Sequence, residues 1–307
     1  MFFKAIIYFN AIRPKTLIAS VAPVLVGAAL AYKTSKVSFS YTLFLFSLFS
    51  ALCIQIGTNL FNDYLDFKKG GDGDKRVGPK RLAQHLVKPV YIQYWAVGFF
   101  ILASILAIPL IVKAPAVVIS IGAASLFFGY LYTGSRWALA YTGMADFFVI
   151  AFFGIVAVGG TYYLQTMTYS LGVFLTGLEL GMLCCIILVI NNLRDIEEDS
   201  INNKNTLVVR FGENFGKKEI ASFIVLAMML HEWTLYLTHF NNLRCVVLST
   251  FARAPYFLLP AYLQFYFSLN KVKEPKGYTS FLSKAAILYF FYTALKVFSI
   301  FYAEVKL

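Results

Sequence analysis

Two short runs of carboxylates and carboxamides hold the groups in this chain best suited to chemistry. The first is Asn59-Leu-Phe-Asn62-Asp63-Tyr-Leu-Asp66. Lys68, Asp72, Asp74 and further Lys and Arg follow up to Arg81, making four carboxylates and six basic side chains in all. The second is Asn191-Asn192-Leu-Arg194-Asp195-Ile-Glu-Glu-Asp199. A helix that continues through Asp66 places Asn59, Asp63 and Asp66 at i, i+4 and i+7, on one face. A helix through the second run puts Asn191, Asp195 and Asp199 at i, i+4 and i+8. Clustered carboxylate and amide oxygens form a hard site suited to Mg²⁺, which prefers carboxylates and substrate phosphates to soft ligands. One such run alone fits a solvated helix end equally well, its charges merely orienting a membrane span. The same device at two helix ends points to a shared ligand.

Carboxylates on two helix ends repel a diphosphate unless a cation bridges them. With Mg²⁺ as the bridge and Lys and Arg on the outer oxygens, the charge that develops on a leaving diphosphate is already stabilised. Loss of diphosphate from an allylic carbon yields a delocalised carbocation, and an apolar, Tyr-rich cavity keeps water from quenching it. A long isoprenoid tail can then stay in lipid while its head reaches the charged pocket.

The elements that must position these groups are membrane helices. Of 307 residues 59% are hydrophobic and only 14% charged, with 31 Phe and 20 Tyr, a balance no water-soluble globule of this size presents. A hydrocarbon core of roughly 30 Å takes about 20 residues per crossing. On that measure helices are expected at 17–32, 41–61, 94–112, 115–133, 144–164, 170–190, 220–240, 243–268 and 284–303. The expectation is an all-α, polytopic bundle of about nine spans forming one membrane domain over 1–307. Gly and Ala inside the spans, as at Gly27-Ala-Ala, Gly122-Ala-Ala, Gly154 and Gly159-Gly160, allow the close backbone contact on which helix association in lipid rests.

Most of the 27 Lys and Arg fall in the N-terminal stretch and in the loops after even-numbered spans, which sets the N-terminus in the cytoplasm. Both acid-rich runs also follow even-numbered spans, so they emerge on that same face. Topology thus accounts for most of the net charge of +12, and with cations divided among short loops no nucleic-acid partner is expected. Cys53, Cys184, Cys185 and Cys245 lie in or beside spans without CxxC spacing, as free thiols packed as small apolar groups do. The opening stretch lacks the features of a cleaved signal peptide, so the first span is expected to be retained.

Other charged groups fall inside the spans. Asp146 opens the fifth, and Glu179 lies within the sixth, where an acid needs a proton or a partner. Arg253 and His231 are the candidate partners. Tyr132 and Arg136 close span four at the interface, a place where an aromatic belt also puts Tyr and Trp.

Asn62-Asp63-xx-Asp66 followed by Asp195-xxx-Asp199 resembles the paired signatures of the UbiA superfamily of intramembrane aromatic prenyltransferases. Tyr132-xxx-Arg136 is similar to that family's YxxxK element. The resemblance extends over essentially the whole chain. Arg13-Pro-Lys-Thr, Asn62-Asp-Tyr with Gly70-x-Asp72, Tyr132-Thr-Gly-Ser-Arg-Trp, Gly159-Gly-Thr-Tyr-Tyr and Asn191-Asn-Leu-Arg-Asp look most like the branch that prenylates 1,4-dihydroxy-2-naphthoate in menaquinone synthesis. Two positions depart from the usual pattern. Gly70 stands where the family commonly has Asp, the next acids being Asp72 and Asp74, and Arg136 replaces Lys, keeping charge while changing donor geometry.

The resemblance implies an enzyme of the cell (inner) membrane, its active site on the cytoplasmic face, with polyprenyl diphosphate and 1,4-dihydroxy-2-naphthoate as substrates. Asp63, Asp66, Asp195 and Asp199 then hold Mg²⁺ and diphosphate, assisted by Asn59, Asn62 and Asn191. Lys68, Arg136, Lys204 and Arg210 contact phosphate, and Asp72, Tyr132, Asn192 and Arg194 complete the substrate-binding set. Arg13 and Lys15 hold the carboxylate of the acceptor. The ring carbon bearing that carboxylate attacks the allylic cation and CO₂ is lost, giving demethylmenaquinone. Another aromatic acceptor, such as 4-hydroxybenzoate or a haem or chlorophyll precursor, is an alternative within the superfamily. A secondary transporter is the alternative outside it, although its charges belong near the midplane and these acids cluster at one face.

Overall fold

The computed structural model describes residues 11–35, 38–68, 88–133, 143–239 and 251–302; the side chains of Asp66, of 128–133 and of 238–239 lie outside the description. Among the described residues every regular element is helical. In chain order these are α1 Ile18–Thr34, α2 Tyr41–Lys68, α3 Pro89–Lys113, α4 Pro115–Thr133, α5 Ala145–Ile150, α6 Ala157–Thr166, α7 Leu171–Arg194, α8 Ile196–Ile201, α9 Leu207–Phe211, α10 Glu213–His239, α11 Leu259–Leu269 and α12 Tyr278–Tyr302. A π-helical turn, Ala151–Val156, runs α5 into α6 as one rod.

Counted over the described residues, seven of these stretches are long and apolar enough to cross a membrane, and α4 is a further apolar helix of 19 residues. The helix expected at 243–268 is only partly described, and its described part is interrupted. Pro255 opens a 3₁₀ turn, Ala254–Leu258, before α11 begins. Helices α10 and α12 start at Glu213 and Tyr278 rather than at 220 and 284, because their polar first turns are helical although not apolar. Helix α2 has 28 residues, about 42 Å at ~1.5 Å per residue, against a hydrocarbon core of roughly 30 Å. Its polar last turns therefore project beyond the apolar layer.

Helix α7 lies at the centre, largely buried, with α10, α12, α6, α1 and the α5 rod around it. Tyr162, Leu180, Leu183, Ile190, Leu193, Ile220, Tyr289 and Tyr292 fill the main core. A smaller cluster, Ala11, Leu60, Ile92 and Ala96, joins the N-terminal segment to α2 and α3. At the other end Leu110, Ala114 and Leu164 join the α3–α4 corner to α6.

The crossing of α7 with the α5 rod is made of backbone. A methyl group on Gly154 would lie 2.2 Å from the Gly177 carbonyl oxygen, and one on Gly181 would lie 2.4 Å from that of Ile150. Gly177-Leu-Glu-Leu-Gly181 is a small-xxx-small stripe of the kind that lets membrane helices meet at the main chain.

Glu179, on α7, is fully buried, and Lys296 of α12 supplies its counter-charge. Lys296 Nζ donates to Glu179 Oε2 at 2.7 Å, and the Tyr292 hydroxyl donates to Oε1 at 2.7 Å. Lys296 Nζ also lies 2.8 Å from His231 Nδ1 on α10. An ammonium has only donors, so Nδ1 accepts and His231 is neutral, its Nε2–H directed at the Ala252 carbonyl 3.2 Å away. The network is satisfied throughout and ties three spans together. Of the two expected partners for Glu179, His231 is present and Arg253 is not. Arg253 is exposed just before the 3₁₀ turn and pairs with Glu232, so its side chain faces away from the buried network although the adjoining Ala252 carbonyl meets His231.

Candidate functional site

Helix α2 does continue through its acid run, so Asn59 and Asp63 stack on one face as expected. Both are buried. The N-terminal segment crosses over them: Asn59 Nδ2 donates to the Ile12 carbonyl at 3.0 Å and lies 3.5 Å from Thr16 Oγ1. Arg13 Nη2 pairs with Asp63 Oδ1. Arg13 has left-handed backbone, φ 56 and ψ 61, and caps the 3₁₀ turn Pro14–Thr16, whose Thr16 hydroxyl returns to the Arg13 carbonyl at 2.9 Å. Lys15 points the other way and donates to Ser283 on α12 at 2.9 Å. Asn62 is half-buried and Lys68 is exposed at the end of the helix.

The second run differs from expectation in one respect. Helix α7 ends at Arg194, and Asp195 leaves helical geometry at φ −100 and ψ 11 before α8 resumes. Asn191, Asp195 and Asp199 are therefore not on one straight helix, although each backbone step is kept: Asp195 N–H donates to the Asn191 carbonyl at 3.0 Å and Asp199 N–H to that of Asp195 at 2.7 Å. The hinge turns the Asp195 carboxylate onto Arg194, whose Nε donates to it at 2.7 Å. Beyond α8, Asn203 takes a left-handed conformation, φ 56, which asparagine tolerates better than most residues. That turn brings Lys204 back over Asp199, with the backbone N–H on the Asp199 carbonyl at 2.8 Å and Nζ 3.6 Å from the buried carboxylate.

Next, the Thr206 hydroxyl caps α9 by accepting from Val209 N–H at 3.2 Å. Arg210 on that short helix is exposed and lies against Gly143 at the entry to α5. A methyl there would be 3.5 Å from the guanidinium carbon. Glu213 Oε1 accepts from the Tyr278 hydroxyl and from Lys217 Nζ, each at 2.6 Å. Contacts thus run without a break across one end of the bundle: Asp63 to Arg13, Lys15 to α12, Tyr278 to Glu213, α9 to α10, and Arg210 to α5.

Asp72 and Arg136 lie outside the described residues, as do the side chains of Asp66 and Tyr132. Among the described residues no three His, Cys, Asp or Glu converge closely enough to hold a metal by themselves. Mg²⁺ does not require such a cage, because it binds through one or two carboxylates together with substrate phosphates. The donor set fits that pattern, being wholly hard oxygen. Asn192 adds a second sign: its Nδ2 is buried at the end of α7 with no acceptor among the described residues, a donor that an anionic oxygen would satisfy. Asp146 is buried against α7, where Oδ1 receives the Cys185 thiol at 3.5 Å and Oδ2 has no partner among the described residues.

Thr16, Ser283, Glu213 and Tyr278 were not among the expected residues; small hydroxyl groups and a helix-start acid give no spacing signal. Lys296 did give one, a single ammonium within Tyr-Phe-Phe-Tyr-Thr-Ala-Leu-Lys-Val-Phe. Cys53, Cys184 and Cys185 are free and buried as anticipated, and Cys245 lies outside the described residues.

Residues 20–284 match the UbiA prenyltransferase family. A 1,4-dihydroxy-2-naphthoate octaprenyltransferase of Haemophilus influenzae is 32% identical over 250 residues, covering 76% of this chain and 81% of the relative. One of Bacillus subtilis is 36% identical over 216 residues, covering 70% and 69%. Among solved structures, a UbiA homolog from Archaeoglobus fulgidus bound to DMAPP and Mg²⁺ superposes with a TM-score of 0.65 at 14% identity, covering 95% of this chain and 98% of that one. At that identity the likeness is one of fold.

Proposed function

This chain belongs to the UbiA prenyltransferase family, and from that premise we propose how it works. It is a multi-pass membrane prenyltransferase that transfers a polyprenyl group to 1,4-dihydroxy-2-naphthoate in menaquinone synthesis. The group comes from polyprenyl diphosphate. Its site lies at the end of the bundle where α2 and α7 present their acids, in the cytoplasmic half of the inner membrane. The observation that carries this reading is the pair of acid-bearing helix ends, each already matched to a cation, Arg13 on Asp63 and Lys204 beside Asp199.

Asp63 and Asp66 on α2, and Asp195 and Asp199 around the α7–α8 hinge, are the residues that would hold Mg²⁺. Bound there, the ion would neutralise carboxylates and diphosphate together and stabilise the charge on the departing oxygen. The protein's own groups do the rest. Lys204 and Arg210, with Lys68 and Arg136, orient the diphosphate, and the Asn192 amide donates to one of its oxygens. Buried Tyr and aliphatic side chains of the core exclude water from the allylic cation. Arg13 holds the acceptor's carboxylate so that the ring carbon bearing it faces the cation, while Lys15, bonded to Ser283 rather than turned toward Arg13 as expected, fixes the segment that carries Arg13. The C–O bond breaks first and its electron pair leaves with the diphosphate. The ring carbon then bonds to the allylic cation, and as CO₂ leaves that carbon its bonding electrons return to the ring, giving the prenylated hydroquinone.

Purified protein in lipid nanodiscs, given Mg²⁺, polyprenyl diphosphate and either 1,4-dihydroxy-2-naphthoate or 4-hydroxybenzoate, tests the assignment by mass spectrometry. Demethylmenaquinol, detected as such or as demethylmenaquinone after oxidation by air, is expected from the naphthoate alone. Product from 4-hydroxybenzoate and none from the naphthoate refutes it.

A further inference from the structure

Arg13 stands where the two proposed half-sites meet. Its guanidinium is engaged with Asp63, a residue assigned above to metal and diphosphate, whereas Arg13 itself is assigned to the acceptor's carboxylate. One cation thus serves two anions that arrive on different substrates. Its backbone is pinned: Ile12 is held by Asn59 at 3.0 Å, Thr16 bonds to the Arg13 carbonyl at 2.9 Å, and Lys15 is anchored on Ser283 at 2.9 Å. The left-handed geometry at Arg13, φ 56, is one that L residues seldom adopt and is kept by those neighbouring bonds. A change of partner therefore needs only rotation of the side chain, which is 29% exposed while Asp63 is 7% exposed.

While the Arg13 guanidinium is engaged with Asp63, less of it is available to an approaching carboxylate, which gains less from it. Once a divalent ion and its diphosphate take Asp63, the guanidinium loses that partner and can turn to the second anion. We infer that Arg13 couples the two substrates: it is released from Asp63 when the metal–diphosphate binds and is handed to the acidic acceptor, so that the acceptor binds second. The inference rests on the roles given above to Asp63 and Arg13. Binding of two ligands linked in this way differs by a coupling factor that each exerts equally on the other.

The test measures binding, using the intrinsic fluorescence of 1,4-dihydroxy-2-naphthoate and an unreactive polyprenyl S-thiolodiphosphate with Mg²⁺. For the wild-type protein the acceptor Kd should fall by about tenfold or more when thiolodiphosphate and Mg²⁺ are present, within the roughly 5- to 150-fold usual for coupled sites. Asp63→Asn removes one anion that competes for Arg13, so it should bind the acceptor more tightly than the wild type with neither addition, and the additions should change its Kd less. Arg13→Gln should bind the acceptor weakly under both conditions. Wild-type affinity that ignores the thiolodiphosphate overturns the coupling, and so does weaker acceptor binding by Asp63→Asn. Turnover of the wild-type preparation is measured first. If it prenylates a different acceptor, the functional reading fails; if it is active on the naphthoate but shows no coupling, only this inference fails.

Discussion

Replacing Gly181 by alanine pushes a methyl group into the backbone of α5, 2.4 Å from the Ile150 carbonyl oxygen and 2.9 Å from its Cα. Ordinary contact begins near 3.4 Å, so α7 and α5 have to part by about 1 Å, and overpacking of this kind costs roughly 1–3 kcal/mol. Asn191 lies on α7 about three turns away and Asp195 caps it about four turns away, and both move with it. A displacement of that size at reacting groups lowers rate by on the order of 10²-fold. Gly160→Ala is the matched control, because its methyl would meet only Ile121 Cδ1 at 3.4 Å. Thermal unfolding in nanodiscs and the rate of prenyl transfer at saturating substrates measure the two effects. Gly181→Ala should lose both stability and rate while Gly160→Ala loses neither. Indistinguishable variants would refute the packing argument. A destabilised Gly181→Ala enzyme with a full rate would show that this crossing does not position Asp195.

Further outcomes follow from the other contacts. Lys296→Met strands a buried carboxylate and should cost about 3–5 kcal/mol, whereas Lys296→Met combined with Glu179→Gln should recover most of that, since removing one partner of a buried pair is worse than removing both; strictly additive losses in thermal unfolding would contradict the assigned pairing. Asp66→Asn and Asp195→Asn should each lower turnover by two orders of magnitude or more, roughly 2.7 kcal/mol, with unfolding temperature unchanged, and a near-normal rate would return that residue to the role of a solvated helix end. Chelation by EDTA should abolish turnover and Mg²⁺ restore it, an outcome read directly from product formation. Arg210→Gln should raise the KM for polyprenyl diphosphate and leave that for the acceptor nearly unchanged, and the reverse pattern would reassign it.

Helix placement was legible because apolar runs of membrane length have few alternatives in lipid, and α1, α2, α5–α6 and α7 fall close to where hydropathy puts them. The ends were less so, since the polar first turns of α10 and α12 are held by contacts such as Tyr278 to Glu213 that no local pattern encodes. The acid runs were visible as spacing, and α2 kept its predicted face. At Asp195 the spacing misled, because Arg194 beside it offers a bidentate partner and the chain turns to use it. The Arg13–Asp63 pair spans 50 residues, and sequence offered the cation and the acid without saying that they meet. Glu179 announced that it needed a partner; choosing Lys296 over Arg253 required knowing that Arg253 is exposed and pairs with Glu232.

The Glu179 network also constrains how the chain can be made. Glu179 enters the bilayer 117 residues ahead of Lys296, an interval on the order of 6–23 s at 5–20 residues per second of synthesis. A charge at the centre of an inserting helix costs roughly 2.5–3.5 kcal/mol, which the apolar remainder of α7 can outweigh, so the helix inserts while its acid has no ammonium to face. Only when α12 emerges does the counter-charge arrive. Assembly is thus settled only once α12 has been synthesised, and a nascent chain that stalls before residue 296 leaves an acid exposed within the membrane, a mark by which quality-control proteases can tell the unfinished bundle from the finished one.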